Sequence, residues 1–226
     1  MDLKIICIAG NMGAGKDTVA DIVLDSPRVE GNKTKIGMSA AIINVASYMF
    51  PLGGLVPCQD QAERKISRPE LNGHTTRDVL RDIGDTARRF DRFVWLNAVL
   101  RNIDMATRAN DVVLVTGIRM ISEAVVMRMI GAYVVGVNSP WSVVDDVTVP
   151  TEREVNYIVN NMCHHVINND GSLSDLKVKA LEMMSFAHTR ERYSNGAIFS
   201  DGPPFDRDEA VRQIERHMQL GTQGAV

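Results

Sequence analysis

Apolar residues fall into short unbroken runs separated by longer stretches with helical spacing. Residues 3–9 (LKIICIA), 111–116 (DVVLVT) and 133–137 (YVVGV) are β-branched and nearly continuous, the pattern of strands covered on both faces. Residues 35–38 and 165–167 are shorter candidates of the same kind. Between them, apolar positions three and four apart predict helices over 16–24, 40–50, 76–89, 93–106, 122–131 and 172–187. Thr75 or Thr76 reads as the N-cap of one helix and Ser172 as that of another, because a side-chain oxygen there accepts from an exposed helix N–H. Pro27, Pro51 and Gly131 supply stops. Residues 51–74 are rich in proline and glycine among polar residues and read as a mobile insertion.

Strands that alternate with helices predict an α/β fold with a mainly parallel sheet and right-handed crossovers. The expected domain covers 1–187, with 51–74 inserted near the acceptor side. Residues 188–226 change character: a turn-rich stretch precedes an amphipathic helix over 206–220. Its apolar face (Ala210, Val211, Ile214, Met218) suits docking on its own domain or contact with a second copy in a homodimer.

The 226 residues are 45% hydrophobic and 23% charged, with net charge −3. That composition excludes a disulfide-rich miniprotein, a collagen and wholesale disorder. The slightly acidic balance carries no footprint for nucleic acid. No apolar run reaches the roughly 18 residues of a membrane span. Three widely spaced cysteines fit a reduced, cytoplasmic setting. Cys163, His164 and His165 are adjacent, and neighbours on a strand point to opposite faces, which argues against a shared metal ion.

Residues 10–18 read GNMGAGKDT, and Gly10, Gly15 and Lys16 satisfy G-x-x-x-x-G-K. The match directly follows the first predicted strand and opens the first predicted helix, the two contexts the motif requires. Gly13, Ala14 and Gly15 let successive backbone N–H groups turn inward onto phosphate oxygens, and the helix adds its positive end. Lys16 supplies a cation for the outer phosphates of ATP. The motif expects Ser or Thr where this chain has Asp17; Asp17 and Thr18 are then the candidate ligands for Mg²⁺, which takes oxygen donors.

A phosphate loop implies nucleotide binding and leaves the reaction open. No Asn-Lys-x-Asp base-reading motif of a GTPase occurs, and the DVVLVT strand ends at Gly117 without the acid of a motor ATPase. Transfer to a phosphorylated acceptor needs arginines that hold two anions together more than it needs a base. Arg119 follows a buried strand at its carboxyl end, where ligands bind in such sheets. Arg77 opens a helix, and Arg64 lies in the insertion.

Four blocks carry a resemblance to a known family: IAGNMGAGKDTVAD (8–21), TRDVLRDIGDTARRFDRFVWLNAVL (76–100), VLVTGIRMISEAVVMRMIGAYVVGVNSP (113–140) and VINNDGSLSDL (166–176). In this order they resemble the bacteriophage deoxynucleoside monophosphate kinases of the T4 type. The resemblance implies a three-layer phosphate-loop NTPase fold, residues 13–18 on ATP, and Lys16, Arg119 and Arg77 as the catalytic cations. It implies an acceptor site with Gly84, Asp85, Trp95, Arg119 and Glu123, to which the insertion adds Arg64. The partner implied is a nucleoside monophosphate in the cytoplasm. Gly117 stands where the family has Asp, Ile43 where it has Lys, and Val149-Pro150-Thr151-Glu152 where it has His-x-Thr-Glu. Rival readings are a related kinase acting on a dephospho-coenzyme A or phosphomevalonate type of acceptor, and a non-catalytic nucleotide-binding protein.

Overall fold

A computed structural model describes residues 5–27, 31–50, 66–109, 112–142, 150–189 and 205–223. The chain divides into two units, residues 1–37 with 100–226, and residues 38–99.

The larger unit is built on five parallel strands: β1 (Ile5–Ala9), β2 (Lys33–Gly37), β3 (Val112–Ile118), β4 (Tyr133–Asn138) and β5 (His165–Asn168), in the order β2-β3-β1-β4-β5. The three central strands are the β-branched runs of the sequence, and every residue of β1 is buried. The edges differ. β2 carries Lys33, Thr34 and Lys35, because an edge strand keeps one side near solvent. Helix α1 (Lys16–Asp25) packs on the sheet through Val19, Ala20 and Val23, alongside α7 (Leu173–Thr189) through Leu176, Ala180, Met183 and Met184. Lys33 donates to the Leu24 and Ser26 carbonyls at 2.6 and 2.9 Å, satisfying acceptors that the end of α1 leaves unpaired.

Helices α5 (Ile121–Met129) and α6 (Pro150–Asn161) also flank the sheet. The sequence reading placed no element over α6. Val155, Ile158, Val159 and Met162 do fall at helical spacing and are all buried. Helix α8 (Arg207–Gln223) lies along α5 of its own chain and buries Ala210 and Ile214, while Met218 stays exposed.

In the smaller unit, α2 (Ala40–Met49) packs on α3 (Thr76–Phe90). The predicted N-cap is Thr75: its hydroxyl accepts from Asp78 N, and Asp78 returns a contact to Thr75 N at 3.0 Å. The Thr75 hydroxyl also donates to Asp78 Oδ2 at 2.7 Å, and that bond, with the one from Thr75 N, holds the Asp78 carboxyl below its usual range. The start of α7 repeats the device, with Ser172 and Asp175 exchanging the same pair of bonds. Helix α4 (Val94–Arg108) begins in the smaller unit and continues into the larger. Of the predicted insertion, residues 51–65 lie outside the described residues. The remainder folds into a turn, with a short 3₁₀ segment at Pro69–Leu71 and an antiparallel bridge between Ser67 and Thr75.

The Cys163-His164-His165 run serves the β4–β5 edge. His164 Nδ1 accepts from Val134 N at 2.9 Å and its ring stacks on Tyr133. Burial pushes the Cys163 thiol up to about 12, so it stays protonated. Among the described residues, no helix is long and apolar enough to cross a membrane.

Candidate functional site

The phosphate-binding candidates leave the carboxyl ends of the central strands. Ala9 of β1 pairs with Ile118 of β3, so the Gly10 loop and Arg119 emerge from neighbouring strand ends. β1 continues into α1 toward β2 on one side, and β3 continues toward β4 on the other. This reversal of direction opens the crevice in which such sheets bind ligands.

Gly13 (φ +77°) and Gly15 (φ +95°) both adopt the left-handed conformation, and Gly15 caps α1. A side chain is strained in that region, which explains glycine at both positions. Gly10 is glycine for a different reason: a Cβ there would stand 2.7 Å from the Val137 carbonyl of β4. Gly15, the N-cap of α1, has no side chain with which to cap the helix, and a helix start of this kind is where backbone N–H groups bind anions.

Two neighbouring segments are bonded to the loop and a third passes beside it. Asn169 Nδ2, in the turn after β5, donates to the Ala14 carbonyl at 3.0 Å, and Asn169 N donates to Asn138 O. Asn11 is buried, and its Nδ2 donates to Asn156 Oδ1 of α6 at 2.8 Å while its own Oδ1 is unpaired. After β4, the backbone of Trp141 and Ser142 passes about 4 Å from the Cβ direction of Gly13. That turn is fixed by Ser142 Oγ donating to Ser139 O, and the Trp141 side chain is exposed.

Lys16 lies 3.7 Å from the Asp17 carboxylate, and Lys35 of β2 lies 3.9 Å from it. Lys16 and Lys35 thus stand near the Asp17 carboxylate, while the close partner of Lys35 is Asp21 at 2.8 Å. Both contacts of Asp17 are long and its side chain is 60% exposed, so its oxygens are not saturated. Asp17 and Thr18, consecutive residues of α1, carry the hard oxygens that Mg²⁺ takes.

Arg119 stands between β3 and α5. Glu123 is buried and accepts from Arg119 N at 2.8 Å and Met120 N at 3.1 Å. Glu154 of α6 accepts from Ile121 N at 2.7 Å. Two carboxylates thus satisfy the start of α5 and fix the backbone that carries Arg119.

Gly117 is more than a position without its acid. It has φ +88° and sits at a break in the β1–β3 register, where Ile8 pairs with Thr116 but Ala9 pairs with Ile118. Gly117 is the extra residue of a bulge that re-aims the end of β3.

The other predicted residues lie in the smaller unit. Arg77 is the second residue of α3, and Asp85 forms an ion pair with Arg88 at 3.0 Å. Gly84 is a close-approach glycine: a Cβ would meet Ile42 of α2 at 3.3 Å and Arg88 at 3.1 Å. Trp95 donates its indole N–H to the Gly84 carbonyl at 2.9 Å and is 9% exposed. The indole that the resemblance offers to a base is thus packed and hydrogen-bonded to α3. Arg64 lies outside the described residues.

The sequence reading did not single out Asn11, Lys35, Glu154, Asn156 or Asn169. Asn11 lies inside the phosphate-loop motif and Asn169 inside the turn after the last predicted strand, but neither side chain has a role that the motif or the turn assigns. The partners of Asn11 and Asn169 are 145 and 155 positions away, beyond any local signal.

The family model described as deoxynucleotide monophosphate kinase matches residues 68–180, half of the chain. The match spans Arg77, Gly84, Asp85, Trp95, Arg119 and Glu123, whereas the phosphate loop precedes it. No curated protein matches the chain.

Proposed function

The chain belongs to the deoxynucleotide monophosphate kinase family, and from that premise we propose that it moves the γ-phosphoryl group of ATP onto a deoxynucleoside monophosphate, giving the diphosphate and ADP. The observation that carries this reading is the left-handed Gly13–Gly15 loop opening α1 beside the strand end that bears Arg119.

The residues divide the work by charge. The loop N–H groups from Gly13 to Thr18 would bind the donor phosphates, and Lys16 would follow the group in transfer. Mg²⁺, when bound, screens the donor phosphates; Asp17 and Thr18 would hold it. The acceptor is already an oxyanion, so catalysis reduces to alignment and charge offset. Arg119 and Arg77 would supply that offset. Glu123 fixes the turn of Arg119 by taking its backbone N–H.

The test is coupled ADP release with ATP, Mg²⁺ and a panel of deoxynucleoside and ribonucleoside monophosphates, with Lys16→Met as the blank. Turnover on at least one deoxynucleotide, lost in the blank, is the expected result. No turnover on any acceptor, or equal turnover in Lys16→Met, overturns the assignment.

A further inference from the structure

The C-terminal helix α8 lies outside the stretch that matches the family, yet a chain of contacts leads from it to the phosphate loop. His217 of α8 is 3.0 Å from the Tyr157 hydroxyl of α6, with the rings edge to face. Tyr157 directly follows Asn156, whose Oδ1 accepts from Asn11 in the loop. Glu154, on the same turn of α6, takes Ile121 N at the start of α5. At the other end of α6, the Arg128 guanidinium of α5 donates to the Met162 carbonyl. α8 packs on α5 and buries Ala210 and Ile214.

We propose that α8, through His217 and Tyr157, is a positioning element for the donor-nucleotide site, acting on Asn11 by fixing the register of α6. This rests on the reading of the loop as the ATP site. The effect of Tyr157 and His217 passes through the Asn156–Asn11 bond.

The argument is one of constraint. Asn11 is buried, with one amide atom bonded to α6 and the other unpaired. A buried amide in that state depends strongly on the one bond it has. Rotation of α6 by a fraction of a turn would move Asn156 away from Asn11, and the loop N–H groups after it would lose their aim. Glu154 and Met162 tie α6 and its end to α5 at two points. Tyr157 lies on the turn between them and is held by a third element, so the rotation is stopped. Asn156 and Tyr157 are adjacent, so torque on one is felt by the other.

The test uses the full chain with four variants: His217→Ala, Tyr157→Phe, Asn156→Ala and His217→Asn, the last keeping a polar group near the Nδ1 position. Direct binding of a fluorescent ATP analogue is measured alongside KM for ATP, KM for the acceptor, and Tm. Expected is a rise of about threefold to tenfold in the analogue Kd and in KM for ATP for the first three, with acceptor KM unchanged. His217→Asn restores most of the affinity. The double variant His217→Ala/Asn156→Ala is no worse than Asn156→Ala alone, because both act through one bond. A fall in Tm with ATP affinity unchanged, equal changes in both KM values, or additive losses in the double variant overturns the proposal. The assignment of the loop fails separately, if the wild-type chain binds no analogue or Lys16→Met binds and turns over as well as wild type.

Discussion

The amide nitrogen of Asn169 occupies the place where a Cβ on Gly15 would go: the distance is 2.6 Å, and the same amide donates to the Ala14 carbonyl at 3.0 Å. The turn after β5 therefore acts as a clamp on the loop, and glycine at position 15 makes room for the clamp as well as for the left-handed backbone. Gly13 shares the backbone requirement, but among the described residues nothing approaches its Cβ direction closer than 3.9 Å.

Gly15→Ala should consequently be worse than Gly13→Ala. Both carry backbone strain of about 1–2 kcal/mol. Only Gly15→Ala also displaces Asn169 from Ala14. ATP-analogue affinity should fall at least about tenfold further in Gly15→Ala than in Gly13→Ala. Asn169→Ala in the Gly15→Ala background should relieve the clash and leave the strain. Equal affinities for the two single variants would show that Asn169 does not clamp the loop.

Gly117→Asp is the change that would bring the chain to the pattern it departs from. At φ +88° and inside a bulge, an aspartate is strained by about 1–2 kcal/mol. We expect Tm to fall by roughly 2–8 °C, with no gain in turnover. Raised turnover at unchanged Tm would mean that the bulge accepts a side chain and that the missing acid limits the reaction.

Trp95→Phe separates two uses of the same indole. Phenylalanine keeps a face for stacking but cannot donate to Gly84. If the bond between α4 and α3 is what the tryptophan supplies, Tm falls by roughly 2–4 °C for the loss of about 1 kcal/mol, and acceptor KM stays within about twofold. A large rise in acceptor KM at constant Tm would instead place the indole on the nucleotide.

What was legible in the sequence follows from the range of the interactions. The central strands announce themselves because burial on both faces forces continuous β-branched runs, as at Val112–Val115. The N-caps at Thr75 and Ser172 are legible because each partner is three residues away. α6 carries no predicted element although Val155, Ile158, Val159 and Met162 lie on one face, because polar residues stand between its apolar ones and Pro140 and Pro150 punctuate the stretch that leads into it. The loop was found from its glycines, whereas its supports were not: Asn156 and Asn169 reach it only after the sheet has brought β1, β4 and β5 together. Gly117 looked like the absence of an acid because spacing does not reveal φ.

Acid should loosen the docking of α8. Burial holds the His217 pKa below its ordinary 6.5, and Arg128 of α5 and Arg216 of α8 push it in the same direction. The folded state thus favours neutral His217, facing Tyr157 of α6. A group with a lowered folded pKa contributes stability that is complete above its unfolded pKa and is lost as pH falls through the folded value. For His217 the window therefore opens near 6.5 and extends downward. Burial holds His165 of β5 below 6.5 in the same way, so that edge strand shares the window, whereas Asp78 and Asp175 start from 3.8 and act only in stronger acid. Hydrogen exchange of the α8 amides should quicken between pH 6.5 and 5, relative to those of α3 and after correction for the intrinsic rate. His217→Ala should abolish that extra dependence while raising exchange in α8 at neutral pH. Exchange in α8 that follows only the intrinsic rate down to pH 5 would show that protonation of His217 does not weaken its docking.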